Sequence, residues 1–170
     1  MNHAIAIAAA MLLAGCAAMT STGPAAVADL APTKGNDTKG SVAFTQSGER
    51  VTVVAEISGL TPGGHGFHIH EKGDCTAEDA TSAGGHFNPA GKPHADPDSR
   101  DRHAGDMPML MADAAGNARL TTTLDIVTIG GGTADIVGRG VIVHKDADDY
   151  KTQPTGNSGA RVACGVIRRR

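Results

Sequence analysis

The feature that most constrains this chain is how its apolar residues are grouped, in short β-rich runs that each stop at a glycine or a turn cluster. Val, Ile and Thr crowd these runs, and side chains branched at Cβ pack well on a pleated surface. No long apolar stripe at the 3.6-residue helical period competes with them. The runs predict eight strands, at 26–31, 41–46, 51–58, 66–70, 107–112, 118–125, 138–144 and 160–167. Eight short antiparallel strands imply an all-β fold, a closed or nearly closed sandwich or barrel. Two connections are long, 71–106 and 145–159, and each begins directly after a histidine that ends a strand. Long ordered loops in a compact domain usually carry function.

The histidines indicate which function. Eight occur in the chain, and six of them lie between positions 65 and 103. Ordinary surface usage does not produce that density, and clustering of this kind points to metal. His68 and His70 are two apart, so on a strand both imidazoles project from one face. His86, His94, His103 and Asp106 lie in or beside the first long connection, and His144 ends a later strand. Imidazole suits copper and zinc alike, and a carboxylate among the ligands is common at zinc. Two four-coordinate ions need eight ligand positions, whereas these seven side chains supply seven unless one imidazole bridges. Bridging requires loss of the second ring proton, which two adjacent dications promote. Two sites of lower coordination satisfy the same count.

Five runs carry a resemblance. GFHIHEKGDC, SAGGHFNP, HAGDMP, VIVHKDADD and GNSGARVACGVI follow one another between about residue 40 and residue 167. In that order they resemble the signature segments of the copper-zinc superoxide dismutases. The resemblance implies an eight-stranded Greek-key β-barrel with two long functional loops, and one copper and one zinc per subunit. It implies copper on His68, His70, His86 and His144, zinc on His86, His94, His103 and Asp106, and His86 as the bridge. It further implies Cys75 and Cys164 as an intrasubunit disulfide, and Asp148 as the carboxylate that hydrogen-bonds His68 and His94. Arg161 matches the arginine that guides the anionic substrate, so Arg161 and His86 are the expected catalytic residues. The implied reaction turns two superoxide anions and two protons into dioxygen and hydrogen peroxide by copper redox cycling, with zinc structural. Members occur as monomers and as homodimers, and both remain open here.

Other polar residues have plainer readings. The second long loop is short, Arg161 lying seventeen residues after His144, so no charged guiding residue is carried over from it. Lys145, Lys151, Asp146 and Asp149 are read as solvated, His65 as structural, and Phe67 and Phe87 as core packing. A copper-storage protein on the same fold would keep the ligands without needing Arg161. A domain with a single structural zinc would leave the copper-side histidines without purpose.

The first sixteen residues read as an address. Residues 4–14 are a continuous apolar run, too short to span a bilayer and right for a signal peptide. The LAGC that follows, at 13–16, resembles the lipobox of bacterial lipoproteins, which predicts cleavage before an acylated Cys16. Ordinary cleavage with a free Cys16 is the alternative. Residues 17–25 are small and polar and read as a flexible tether, leaving 26–170 as one domain of ordinary size. With Cys16 assigned to the anchor, Cys75 and Cys164 remain as an even pair in an exported chain, where disulfides persist; two buried free thiols are the alternative. The formal net charge is -3, and the one basic tract, Arg168 to Arg170, reads as a solvated end. Nothing there supports a nucleic-acid partner, and membrane contact is expected only through the anchor.

Overall fold

Alternation of apolar and polar residues decides which face of each strand turns inward. In β3 (Arg50–Ser58), Val51, Val53, Ala55 and Ile57 are buried and the residues between them are not. β1 (Ala25–Pro32) buries Ala26, Ala28 and Leu30 in the same rhythm, and β2 (Lys39–Ser47) buries Val42 and Phe44. The remaining strands are β4 (Gly63–His65), β5 (Phe67–His70), β6 (Leu110–Ala112), β7 (Ala118–Leu124), β8 (Gly140–His144), β9 (Arg161–Val166) and β10 (Arg168–Arg169). The computed structural model describes residues 23–170. The export segment 1–16 with Cys16, and most of the 17–25 tether, lie outside the described residues. Among the described residues the only helical turn is a 3-10 turn at Thr81–Ala83.

The strands pair antiparallel in the order β5-β8-β9-β1-β2-β3-β7, with β10 also against β1, and β4 pairs separately with β6. β7 returns to β6 through a tight turn closed by Asp113 N–H donating to the Asn117 carbonyl at 2.9 Å. β4 runs into β5 across Gly66, so the curled sheet closes into a barrel of eight staves, with β4 and β5 forming one broken stave. The all-β barrel expected from the sequence is therefore the fold, and the core is the cluster inside it, including Phe44, Phe67, Ile69, Leu110, Val141 and Val143.

Several boundaries differ from the sequence expectation, each for a local reason. The strand expected at 66–70 begins one residue later, at Phe67, and is preceded by the unexpected β4, because the Gly66 main chain between them bonds elsewhere: its N–H donates to the Asp146 carbonyl (2.8 Å) and its carbonyl accepts from His144 N–H (2.8 Å). A side chain there would collide with Ser158, whose Oγ lies 2.5 Å from the position of a Cβ. The strand expected from 107 begins only at Leu110, since Pro108 has no N–H to donate and the Met109 N–H goes to the Tyr150 hydroxyl. Ala25, read as tether, belongs to β1, and Arg168 and Arg169, read as a solvated end, are exposed yet pair with it.

β5 and β8 are buried along their whole length, which decides where the chemistry sits. Phe67 and Ile69 point into the core, as do Val141 and Val143. His68, His70, Ile142 and His144 fall on the opposite, outer face by the two-residue period. That face is covered by the two long loops. Segments 85–87 and 104–106 lie along the free edge of β5, where Ile69 N–H donates to the Gly105 carbonyl (2.9 Å) and Phe87 N–H donates to that of Ile69 (2.8 Å). A small cluster of Ala80, Ala83, Ile142, Cys164 and Cys75 pins the same loop to β8 and β9, and Cys75 and Cys164 are disulfide-bonded.

Candidate metal centre

The strands and the two loops bring the seven predicted side chains into two adjoining groups. His68, His70, His86 and His144 form the first, with one ligand atom from each lying within 4.8 Å of the others. His68 and His70 come from β5 and His144 from the end of β8, where the ladder slips by a residue. His86 is brought against His70 by the loop segment that pairs along β5.

In each of these rings one nitrogen has a partner and the other has none. His68 Nε2–H donates to Asp148 Oδ2 (2.6 Å), His70 Nδ1–H to the Gly84 carbonyl (2.9 Å) and His144 Nδ1–H to the Gly159 carbonyl (3.3 Å). His68 Nδ1, His70 Nε2, His86 Nε2 and His144 Nε2 are buried without any hydrogen-bond partner among the described residues. Four orphaned nitrogens converging in one place are costly unless something binds them. Burial also keeps the rings neutral and their lone pairs free. It holds His70 well below the ordinary imidazole range and His68 below it, and brings His86 to about 4 and His144 to about 3. This donor set fits copper.

The second group is His86, His94, His103 and Asp106. Around the single oxygen Asp106 Oδ1 stand His86 Nδ1 at 2.9 Å, His94 Nδ1 at 3.0 Å and His103 Nδ1 at 3.3 Å, and the His86 and His103 nitrogens are themselves 3.3 Å apart. A tetrahedral ion with bonds of about 2.0 to 2.1 Å brings its donors to about 3.3 Å from one another, so this spacing and this donor set fit zinc. His86 belongs to both groups, with Nδ1 in the second and the unpartnered Nε2 in the first. Burial opposes ionisation of Asp106, yet hydrogen bonds from His103, His86 and His94 hold its carboxyl far below the ordinary range. Burial likewise opposes charge on His94, but Asp106 and Asp148 outweigh it and raise its pKa to about 9.

Asp148 stands between the groups. Its Oδ2 accepts from His68, while its Oδ1 lies 3.0 Å from His94 Nε2 and accepts the Tyr150 N–H at 2.7 Å. Arg161, half-buried at the start of β9, donates to the carbonyls of Ala80 (2.7 Å) and Gly84 (2.6 Å). Gly84 thus joins the guanidinium to His70, and after burial and neighbouring histidines the Arg161 charge adds to the lowering of His70 and His144. The outer side of Arg161 opens on a surface depression of about 730 Å³, lined also by Lys34, Glu78, Asp79 and Thr81.

The other residues named from the sequence lie apart from both groups. The His65 ring nitrogens are each 2.8 Å from a carbonyl, of His144 and of Thr61. Lys145, Asp146, Asp149 and Lys151 are exposed, and Asp149 accepts the N–H groups of Lys151 and Thr152 in a turn. Phe67 is core, and Phe87 packs beneath the Arg139 guanidinium at 4.3 Å. Two contributors escape the sequence reading. Gln153 hydrogen-bonds the main chain of His94. Gly156, at φ +66, leaves room for Asp148, whose Oδ1 would lie 1.8 Å from a Cβ there. Gly156 opens the run GNSGARVACGVI and is a usable signal; a glutamine in a polar loop carries none.

Comparisons with known proteins agree with this geometry. Residues 38–167 match the family model described as copper/zinc superoxide dismutase. An extracellular copper-zinc superoxide dismutase of Drosophila melanogaster is 44% identical over an alignment of 137 residues that covers 76% of this chain and 75% of that protein. A crystal structure of the clock protein EA4 superposes with a TM-score of 0.78 at 40% identity, covering 88% of this chain and 96% of that one.

Proposed function

The chain belongs to the copper/zinc superoxide dismutase family, and from that membership we propose how its own residues divide the work. The reaction is the dismutation of superoxide, with copper and zinc as cofactors. Copper supplies, when bound, a one-electron couple that one superoxide reduces and the next reoxidises, and zinc supplies fixed charge without changing valence. The observation that carries the residue assignment is the set of four unpartnered imidazole nitrogens beside a second donor group that shares His86.

On this reading His68 Nδ1, His70 Nε2, His86 Nε2 and His144 Nε2 hold copper. The Nδ1 atoms of His86, His94 and His103, with Asp106, hold zinc. Hydrogen bonds from the other ring nitrogens to Asp148, Gly84 and Gly159 fix which nitrogen of His68, His70 and His144 is bare. Whenever it is not holding copper, His86 Nε2 would hold a proton taken from solvent and could give it to the product peroxide. Burial of the whole set keeps bulk water from competing at these atoms.

Arg161 guides and positions the anion. The chain is net negative and would otherwise repel superoxide. A cation about 6 Å from an anion contributes roughly 0.7 to 3 kcal/mol for an effective dielectric between 80 and 20. That is about 3- to 100-fold in rate. Fully metallated Arg161→Ala is expected to lose activity within that range while retaining both metals, and to show a weaker fall in rate with rising ionic strength. Stopped-flow dismutation across a salt series checks this, and a variant as fast as the parent at low salt removes Arg161 from the mechanism. Copper bound by the parent without turnover would indicate storage instead.

The protein is exported, in keeping with its disulfide and its extracellular relative. The finer reading is a lipoprotein anchored through Cys16, supported by the LAGC run. Acyl chains at one processed cysteine suffice for stable attachment when there is more than one. Cys16→Ala is expected to move the protein from the membrane pellet to the soluble fraction. A variant that still sediments and resists high salt would show that no such anchor operates.

A further inference from the structure

The second long loop touches His94 in two places, and only one of them is the ring. While Asp148 meets Nε2, the side-chain amide of Gln153 meets the main chain. His94 N–H donates to Gln153 Oε1 at 2.8 Å, and Gln153 Nε2–H donates to the His94 carbonyl at 2.7 Å. His94 belongs to no strand, and no main-chain group among the described residues bonds its N–H or its carbonyl. The glutamine amide therefore gives this one residue the paired contacts that a neighbouring strand would otherwise give.

A contact at Nε2 alone leaves the imidazole free to pivot about that hydrogen bond, which would swing Nδ1 away from the other three donors. Holding the main chain at both its N–H and its carbonyl removes that freedom, and with the ring tip also held the direction of Nδ1 is determined. Loss of a neighbour that orients a ligand typically costs about 10- to 100-fold in metal affinity. We propose that Gln153 is a positioning residue for the zinc site: its amide fixes the main chain of His94 and thereby aims Nδ1 at the ion. The proposal rests on the reading of His94 as a zinc ligand.

Gln153→Met keeps the length and volume of the side chain and removes both hydrogen bonds to His94, together with a longer one from Nε2 to the Lys151 carbonyl (3.2 Å). Zinc affinity, measured by competition with a chelating dye, is expected to fall about tenfold, with copper affinity unchanged. The His94 amide is expected to exchange its hydrogen faster in the metal-free variant, while the melting midpoint of that form stays near the parent's. Cobalt in the zinc site is expected to show an altered visible absorption. Parent-like zinc affinity in Gln153→Met overturns the proposal. So does an equal loss at both metals with a lowered midpoint, since that describes a loop staple and not an aimed ligand. His94→Ala separates the two layers: if it keeps zinc at full affinity, the reading of His94 as a ligand fails, whatever Gln153 does.

Discussion

Replacing Cys75 by serine is expected to remove about 4 to 5 kcal/mol of stability, the chain-entropy estimate for opening a loop of this size. The bridge to Cys164 spans 89 residues, which hold β6, β7 and β8 and all of the first metal-bearing loop beyond Cys75. At about 2 to 4 °C per kcal/mol for a chain near this length, the melting midpoint should fall by roughly 10 to 20 °C. The effect should reach the metals as well. Cys75 packs with Ala80, Ala83 and Ile142, and the turn at Thr81–Ala83 leads directly to Gly84, whose carbonyl holds both His70 and Arg161. Two residues further on is His86. Copper retention and thermal stability should therefore decline together. Calorimetry of Cys75→Ser, and of the double variant with Cys164→Ser to exclude effects of a stray thiol, tests this. A midpoint within a degree or two of the parent's, with full metal content, would mean that the bridge is incidental to the fold.

What the sequence discloses of this architecture follows from periodicity, and what it hides follows from long-range contact. A two-residue spacing on a β-rich run was enough to put His68 and His70 on one face, since that geometry is local to the strand. The division of seven side chains between two ions was not readable from counting alone. It depends on which ring nitrogen of each histidine is tied down, and the ties to Asp148 and Gly159 come from a loop that begins after residue 144. Gln153 is farther still from inference, because its partner His94 lies 59 positions away and is met through the main chain, where residue type leaves no trace. The break at Gly66 and the pairing of Arg168 and Arg169 with β1 are of the same kind. Each is decided by a segment distant in sequence, where the local pattern gave a strand starting at the glycine or a free end.

Asp148 links the two groups a second time, beside the shared His86, and Asp148→Asn is expected to weaken metal binding by roughly 10- to 100-fold without altering any ligand. The parent carboxylate is buried, which opposes its charge, but hydrogen bonds from His68 and His94 hold its pKa well below the ordinary range, so it is ionised at neutral pH. As an acceptor only, it can serve three groups: His94 Nε2 and the Tyr150 N–H at Oδ1, and His68 Nε2 at Oδ2. An asparagine has one accepting atom. Its carbonyl satisfies two donors if it takes the Oδ1 position, which leaves its NH2 facing His68 Nε2 across a contact now 2.6 Å long. The His68 ring must then turn away or move its proton to Nδ1, the atom that should be bare for copper. Copper is therefore the metal expected to be lost more readily, by about 1.4 to 2.7 kcal/mol if the whole effect falls there. Chelator competition for each metal separately measures this. Gly156→Ala supplies an independent approach, since its Cβ would lie 1.8 Å from Asp148 Oδ1 and 2.6 Å from His94 Nε2 and would displace the carboxylate without neutralising it. Parent-like affinity for both metals in both variants would show that the ligands orient themselves and that Asp148 is a bystander between them.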